Sequence, residues 1–243
     1  MTDARPHVVI LAAGSGKRFL GSGGVGYKQL TLYEGEPVIV RLVRQVEETG
    51  LFSGTTVVLG DDAECGAAVR EALQGRRVAY AVNTDARRDN NLLSFRIGAQ
   101  GVNSSCLVIE ADCVVTTDDL AGMVEGLAPD EIRWSEIGDV SRFEYGGLIE
   151  MDSCGDQAIS VAVLSREDFS AFKAAGRKGV KMFGLSAFGA QALALYRDRI
   201  EGLSDPYNKY FHYIAIQDPR PFRLGVYRVA ADSFSFNTVT ELR

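Results

Sequence analysis

The sequence predicts an α/β fold built on a mostly parallel, Rossmann-like, doubly wound mixed sheet. Residues 8–13 form a continuous apolar run, which is typical of a strand buried on both faces of a parallel sheet. A loop with six glycines, residues 14–26, follows this run directly. The chain then alternates between strand and helix patterns, and such alternation predicts right-handed crossovers between parallel strands.

The first half of the chain contains most of this alternation. A helix is expected after Pro37, because proline is tolerated in a first helical turn, and it should end near Gly50. Thr117 is the expected N-cap of a later helix, since two acidic residues follow it. The patterns predict strands at 55–59, 76–82 and 106–111, and helices at 63–73, 92–99 and 117–127.

The pattern changes after residue 133. Strands are expected at 143–151 and 158–164 in a mixed or antiparallel arrangement, and helices at 166–175 and 185–199. The sequence contains no repeat and no linker long enough to separate independent domains. We therefore expect residues 1–243 to form a single domain.

Composition excludes several classes of function. The 243 residues carry a net charge of -6, which argues against a fixed basic face for nucleic acid. The four cysteines include no CxxC pair, so neither a zinc site nor a disulfide framework is indicated. The first residues lack an apolar signal core, and no apolar run reaches the roughly 18 residues that span a bilayer. A cytoplasmic protein without membrane contact is expected.

The glycine loop is a candidate anion site. Gly14 and Gly16 let the backbone approach a polyphosphate closely, while Lys17 and Arg18 supply positive charge. A P-loop would need glycine at the position of Leu11, and a dinucleotide fingerprint would need it further along the loop, so neither motif is indicated. A purely structural turn is the alternative.

The segment LAAGSGKR, residues 11–18, followed by Lys28, resembles the opening signature of the NTP-transferase superfamily, L-A-A-G-x-G-x-R and a later lysine. The resemblance implies a nucleotidyltransferase-type sheet and transfer of a nucleoside monophosphate from an NTP. It implies that Arg18 and Lys28 are catalytic, although Tyr27 stands where the family often has proline. Residues 1–130 would bind the nucleotide and 131–243 the acceptor. The loop residues implied in nucleotide binding are Leu11, Ala12, Ala13, Gly14, Ser15, Gly16 and Lys17.

A second motif concerns the base. Asn83, Asn91 and Ser94 are similar to the segment that reads base and ribose in bacterial phosphocholine and phosphonate cytidylyltransferases. This resemblance implies that CTP is the donor. N-capping of the next helix by Asn90 or Asn91 is the alternative.

Two further residues resemble metal ligands of the superfamily. Asp112 follows the fourth predicted strand, where ligands bind in open α/β sheets, and it resembles the family's magnesium-binding aspartate. Asn237 begins the segment NTVTEL, which resembles the family's N-T-x-x-[DE]-L with the second ligand. Mg²⁺ is therefore the expected cofactor. A turn at Asp112 and a capping box at residues 238–241 are the alternatives.

The acceptor site is less well defined by the sequence. Lys181 or Lys209 could hold an anionic acceptor. An aromatic and acidic set could instead cage a quaternary ammonium group: Trp134, Glu136, Glu144 and Tyr145. Ordinary strand and surface positions are the alternative for all of them.

Together these features predict magnesium-dependent transfer of CMP from CTP to a small phosphorylated or phosphonate acceptor, with release of pyrophosphate. Two alternatives stay open. One is a sugar-1-phosphate or molybdopterin-type nucleotidyltransferase that uses another NTP, and the other is a non-catalytic, nucleotide-binding regulatory homologue. The sequence leaves the assembly state open between a monomer and a homodimer.

Overall fold

The computed structural model of the chain describes residues 5–14 and 16–242. Ser15, which the sequence assigns to nucleotide binding, lies outside the described residues. The helices are α1 (Lys17–Gly21), α2 (Val38–Thr49), α3 (Ala63–Ala72), α4 (Leu92–Gly98), α5 (Thr117–Val124), α6 (Arg166–Ala174), α7 (Ala190–Glu201) and α8 (Tyr213–Gln217). The strands are β1 (His7–Leu11), β2 (Leu32–Tyr33), β3 (Glu36–Pro37), β4 (Gly54–Leu59), β5 (Val78–Val82), β6 (Cys106–Glu110), β7 (Cys113–Val114), β8 (Glu131–Asp139), β9 (Gly146–Met151), β10 (Ala158–Leu164), β11 (Gly179–Phe188), β12 (Arg223–Arg228) and β13 (Phe234–Ser235).

A central mixed sheet of nine strands organises the described part of the chain. Its main path runs β10-β9-β11-β6-β1-β4-β5, while β8 pairs with β11 and β12 pairs with β8. Strands β6, β1, β4 and β5 are parallel, and β11, β9 and β10 continue the sheet with antiparallel pairs. The predicted fold class is confirmed, including the antiparallel arrangement of the strands near residues 146 and 158.

Strand β1 shows why the site lies where it does. Val8, Val9 and Ile10 are fully buried, because helices cover both faces of the sheet at this strand. Leu11 pairs in register with Glu110, so β1 and β6 end side by side. The glycine loop and the residues after Glu110 therefore leave the same edge of the sheet as neighbours.

The hydrophobic core forms one large cluster on each face of this sheet. Alternate residues of β1 divide between the clusters, with Val8 in one and Val9 in the other, as the twofold period of a strand requires. Each cluster also contains residues from beyond position 130, for example Phe183 in the first and Trp134 in the second. Packing is thus continuous through the chain, and the division into two binding halves stays a prediction.

Several elements of the second half differ from the sequence prediction. The helix expected at 185–199 is wrong at its start, because residues 185–188 complete β11 against β6 and α7 begins only at Ala190. The sequence patterns do not predict strands β8, β11 and β12. Strand β8 buries charged residues that mask a strand pattern, and they are paired: Glu131 accepts a hydrogen bond from Arg133 at 2.8 Å, and Glu136 forms an ion pair with Arg228.

The N-cap of α5 is Thr116 and not Thr117 as predicted. Thr116 Oγ1 accepts a hydrogen bond from the backbone N of Asp119 at 3.1 Å, and the Asp119 carboxylate accepts one from the Thr116 N at 3.1 Å. The buried Asp119 carboxylate also accepts from the Ala230 N at 2.8 Å and from Ser233 Oγ. The Asp119 carboxylate at the N-terminus of α5 therefore also fixes the segment that leads into β13.

Across residues 5–14 and 16–242, none of the helices combines the length and apolar character needed to span a membrane.

His212 gives a prediction about stability. Its side chain is buried next to Ser186, with Nε2 3.5 Å from Oγ, and burial lowers its pKa to about 3. The unfolded chain binds a proton below about pH 6.5 while the folded chain does not, so stability falls as pH falls. Between pH 7.5 and 5, this residue should lower the free energy of unfolding by about 2 kcal/mol.

Urea unfolding at the two pH values measures this loss, and His212→Gln should remove it. Burial also lowers the pKa of His7, but His7 is present in both proteins and cancels in the comparison. An equal loss in wild type and variant would show that His212 is not the source.

Candidate active site

The C-terminal segment is brought to the carboxyl end of β6. Strand β13 pairs antiparallel with β7, which follows Asp112 directly. The Phe236 N donates a hydrogen bond to the Asp112 O at 3.3 Å, and the Phe236 ring is fully buried against Phe19. Asn237 is therefore fixed beside Asp112, although the two residues are far apart in sequence.

Lys28 joins these two residues. It lies in a short 3-10 turn (Lys28–Leu30), and its ammonium group forms an ion pair with Asp112 Oδ2. The same Nζ donates a hydrogen bond to Asn237 Oδ1 at 3.1 Å and lies 5.5 Å from the centre of the Phe236 ring. The side chains of Lys28 and Asp112 are only 15% and 16% exposed. Three residues that the sequence singled out separately thus converge on one point.

The glycine loop reaches the same crevice. Leu11 and Ala12 are buried; Leu11 is the last residue of β1, and the Ala12 N still donates a hydrogen bond to the Val58 O of β4 at 2.9 Å. Gly14 is exposed, and Gly16 has a φ of +61° as the N-cap of α1. A Cβ at Gly16 would lie 3.4 Å from the Cβ of Lys28, which shows how closely the loop passes Lys28. Ala13 and Gly14 are the first residues of the loop that are not buried.

The crevice also holds Glu110, to which the sequence analysis gave no role. Burial raises the pKa of its carboxyl group, and the nearby charge of Asp112 raises it further. The charges of Lys28, Lys181 and Arg18 act in the opposite direction on the same pKa. A signal was present in the sequence, because Glu110 and Asp112 are two positions apart and such residues point to the same side of an extended chain.

Asn83 and Ser94, which are predicted to read the base, form hydrogen bonds with other side chains of the protein. Both are buried, and Asn83 Nδ2 donates to Ser94 Oγ at 3.0 Å and to Asp89 Oδ2 at 2.9 Å. Ser94 Oγ donates to the same Asp89 oxygen at 2.8 Å. Asp89 also accepts from the Leu93 and Ser94 backbone N at the start of α4. This network builds the N-terminus of α4, and base reading by these residues stays a prediction.

Asn91 links the two halves of the chain. It has a φ of +83° and is the N-cap residue of α4, although its side chain makes no capping bond. Instead, Nδ2 donates to Glu110 Oε1 at 3.1 Å, and Oδ1 accepts from the Phe211 N at 2.7 Å. The amide is therefore a connector between β6, α4 and the segment before α8.

The two predicted acceptor residues have different surroundings. Lys181 is largely buried, its Nζ lies 3.4 Å from the Gly147 O, and burial lowers its pKa while Glu110 opposes that shift. It lines the crevice beside Glu110. Trp134 is 1% exposed within the core, so its ring does not form an open wall for an acceptor.

The rest of the proposed ammonium cage does not assemble around Trp134. Glu136 is buried in its ion pair with Arg228, whereas Glu144 pairs with Arg166 at the surface. The partly exposed Tyr145 ring also contacts Arg166. Lys209 is the other lysine that could hold an anionic acceptor, and its Nζ lies 3.5 Å from Asp205 Oδ2.

The donor set fits a hard divalent cation. Asp112 Oδ2 and Asn237 Oδ1 converge on the Lys28 ammonium, a cation that this chain itself places between two oxygen donors. Among residues 5–14 and 16–242, no group of three or more His, Cys, Asp or Glu side chains could hold a metal by itself. Mg²⁺ is commonly bound by one or two protein ligands together with substrate phosphates, and this pair of oxygens matches that pattern.

The glycine loop, Lys28 and Asp112 meet at the carboxyl ends of the parallel strands, the edge at which open α/β sheets bind ligands. The chain belongs to the MobA-like NTP transferase domain family, whose profile matches residues 8–142. It is therefore a nucleotidyltransferase. The match covers the glycine loop, Lys28, the Asn91 region and Asp112, whereas Lys181 and Asn237 lie beyond it.

Solved structures of nucleotidyltransferases share the fold. An inositol-1-phosphate CTP transferase from T. maritima has a TM-score of 0.73 at 12% identity, with 99% of this chain and 92% of that chain covered. The CTP:phosphocholine cytidylyltransferase LicC from Streptococcus pneumoniae has a TM-score of 0.71 at 16% identity, with 98% and 96% covered. A putative glucose-1-phosphate thymidylyltransferase from Bacillus anthracis has a TM-score of 0.73 at 15% identity, with 97% and 92% covered. No curated protein sequence matches the chain.

Proposed function

We propose that the protein transfers CMP from CTP to a small phosphorylated or phosphonate acceptor and releases pyrophosphate. The observation that carries this proposal is the convergence of Lys28, Asp112 and Asn237 at the carboxyl end of β6, next to the glycine loop. The CTP-using enzymes among the structures of the same fold support the choice of nucleotide. The motif around Asn83, Asn91 and Ser94 favours the same choice.

The proposed mechanism needs positioning and charge neutralisation rather than a covalent intermediate. The loop from Ala13 to Lys17 and the side chains of Arg18 and Lys28 would bind the triphosphate. Asp112 and Asn237 would hold Mg²⁺, which when bound neutralises charge on the phosphate oxygens. Arg18 and Lys28 would stabilise charge that develops on the transferred and leaving groups.

The acceptor supplies its own nucleophile. Its phosphate or phosphonate oxygen is ionised near neutral pH and attacks the α-phosphorus in line with the departing pyrophosphate. No protein base is therefore required to deprotonate the nucleophile. Lys181 would orient this anion, because its ammonium group lies in the crevice with only one weak backbone partner at 3.4 Å.

A matrix of substrates tests the proposal. The four NTPs are each combined with choline phosphate, aminoethylphosphonate, hydroxyethylphosphonate and several sugar 1-phosphates, and pyrophosphate is measured. We expect release with CTP and a phosphate or phosphonate acceptor. Release with another NTP and a sugar 1-phosphate would favour the sugar-nucleotide alternative. Absence of release in every combination would favour the regulatory homologue.

The base preference gives a separate prediction. Ser94→Ala removes one bond to Asp89 and one from Asn83, which loosens the start of α4, and it should lower kcat/KM for CTP by about tenfold, the effect of roughly 1.4 kcal/mol. Ser170→Ala, on the exposed face of α6, is the matched control. Equal turnover of ATP, GTP and CTP by the wild type would remove the cytidylyl assignment and leave the nucleotidyltransferase class intact.

A further inference from the structure

Lys28 occupies the place that the proposed function gives to the metal. Its ammonium group contacts both Asp112 Oδ2 and Asn237 Oδ1, the two oxygens proposed as metal ligands. A monovalent cation and a divalent cation at one position repel each other strongly, since the Coulomb energy rises steeply at contact distance. Lys28 must therefore leave these oxygens before they can accept a metal.

The surroundings of Lys28 favour its contact with Asp112 and Asn237 when no ligand is bound. The Asp112 side chain is only 16% exposed, and a poorly solvated carboxylate is costly unless a cation compensates its charge. Lys28 provides that compensation, and the Phe236 ring 5.5 Å from its Nζ adds a cation–π contact. The protein thus neutralises its own metal site.

The same side chain has a reason to move when a nucleotide enters. Lysine carries its charge on a flexible four-carbon stem, so the ammonium group can shift while the backbone turn stays in place. The glycine loop passes next to Lys28, with the Gly16 backbone facing the Lys28 Cβ, and a triphosphate cradled there would offer oxygens to the ammonium group. Release of Asp112 and Asn237 would then coincide with nucleotide binding.

We propose that Lys28 is an internal counter-ion that blocks the metal ligands in the free enzyme and makes divalent cation and nucleotide bind together. This inference rests on the proposed function, because it uses the metal site at Asp112 and Asn237. The substrate of the enzyme is then the metal–nucleotide complex, and the free enzyme takes up little metal alone. By linkage, the nucleotide raises metal affinity by the same factor as the metal raises nucleotide affinity.

Binding of Mn²⁺, followed by electron paramagnetic resonance without turnover, tests the inference. Wild type without nucleotide should bind Mn²⁺ weakly, and Lys28→Met should bind it at least about tenfold more tightly, as expected if the site is open in no more than about one molecule in ten. The double variant Lys28→Met/Asp112→Asn should lose this gain in Mn²⁺ affinity. Lys181→Met, which removes one positive charge from the same crevice without freeing either oxygen, should raise Mn²⁺ affinity by less than Lys28→Met does; an equal gain would show that lost charge alone explains the effect and would overturn the inference.

The same measurement with a nucleotide analogue present separates the counter-ion inference from the proposed metal site. With α,β-methylene-CTP present, wild type should bind Mn²⁺ in an Asp112-dependent manner, and this synergy should be about tenfold smaller in Lys28→Met. If Lys28→Met binds Mn²⁺ no more tightly than wild type while this Asp112-dependent binding persists, the counter-ion inference is overturned and the metal site stands. If Asp112-dependent binding is absent with and without the nucleotide, the metal site fails and the inference fails with it.

Discussion

Asp112→Asn should reduce turnover by roughly a thousandfold or more, the effect of losing several kcal/mol of metal-assisted charge stabilisation. The substitution keeps the volume of the side chain and can still accept a hydrogen bond from Lys28, so the fold should be retained. Pyrophosphate release under saturating CTP and acceptor measures the loss, and a thermal melt confirms folding.

Asp118→Asn is the matched control for this change. Asp118 is exposed in the first turn of α5, so the control removes the same charge a few residues away from the site. Asn237→Ala should cost less than Asp112→Asn, because a neutral ligand contributes less electrostatic energy. EDTA should abolish wild-type activity, and activity that persists in EDTA would contradict the metal assignment.

Arg18→Ala and Lys28→Met should each lower kcat by about a hundredfold, with a smaller change in KM, because both charges are proposed to act on the transition state. Arg18 is exposed in α1, so its loss should leave the core unchanged. Lys28→Met should slow transfer even though it frees the metal ligands. Arg220→Ala, at an exposed ion pair with Asp218, is the control.

Steady-state kinetics with CTP separates kcat from KM for these variants. Near-normal kcat in both would show that the loop is only a turn. Loss of kcat in Arg18→Ala alone would place the second charge elsewhere, and Lys17 and Lys181 would be the next residues to test.

The parts of the site that could be predicted from the sequence are those defined by local motifs at strand ends. The glycine loop follows β1, Asp112 follows β6, and parallel strands place their carboxyl ends at one edge, so the spacing alone brings these residues near each other. Asn237 could be proposed from its motif, but its position beside Asp112 depends on β13 pairing with β7. Asp119 accepts hydrogen bonds from Ala230 and Ser233 just before β13, a long-range contact that no local pattern indicates.

The parts that the sequence did not predict depend on the choice of distant partners. Strand β8 buries Glu131 and Glu136, and each carboxylate is compensated there by an arginine and by a backbone N–H, from Ala128 and Gly138 respectively. Trp134 fits an aromatic cage by residue type, yet β8 lies between β11 and β12 and places its ring in the core. Asn83 and Ser94 lie close together near the start of α4, but both side chains donate hydrogen bonds to Asp89, a partner that the motif does not indicate.

Transfer of labelled phosphorus tests the central claim most directly. CTP labelled at the α-phosphorus is incubated with the protein, Mg²⁺ and a panel of phosphate and phosphonate acceptors, and the products are separated. The proposed function predicts that the label appears in a cytidylylated acceptor in a one-to-one ratio with unlabelled pyrophosphate, and that Asp112→Asn forms almost none. Label that stays in CTP with every acceptor, or that appears equally with Asp112→Asn, would contradict nucleotidyl transfer at this site.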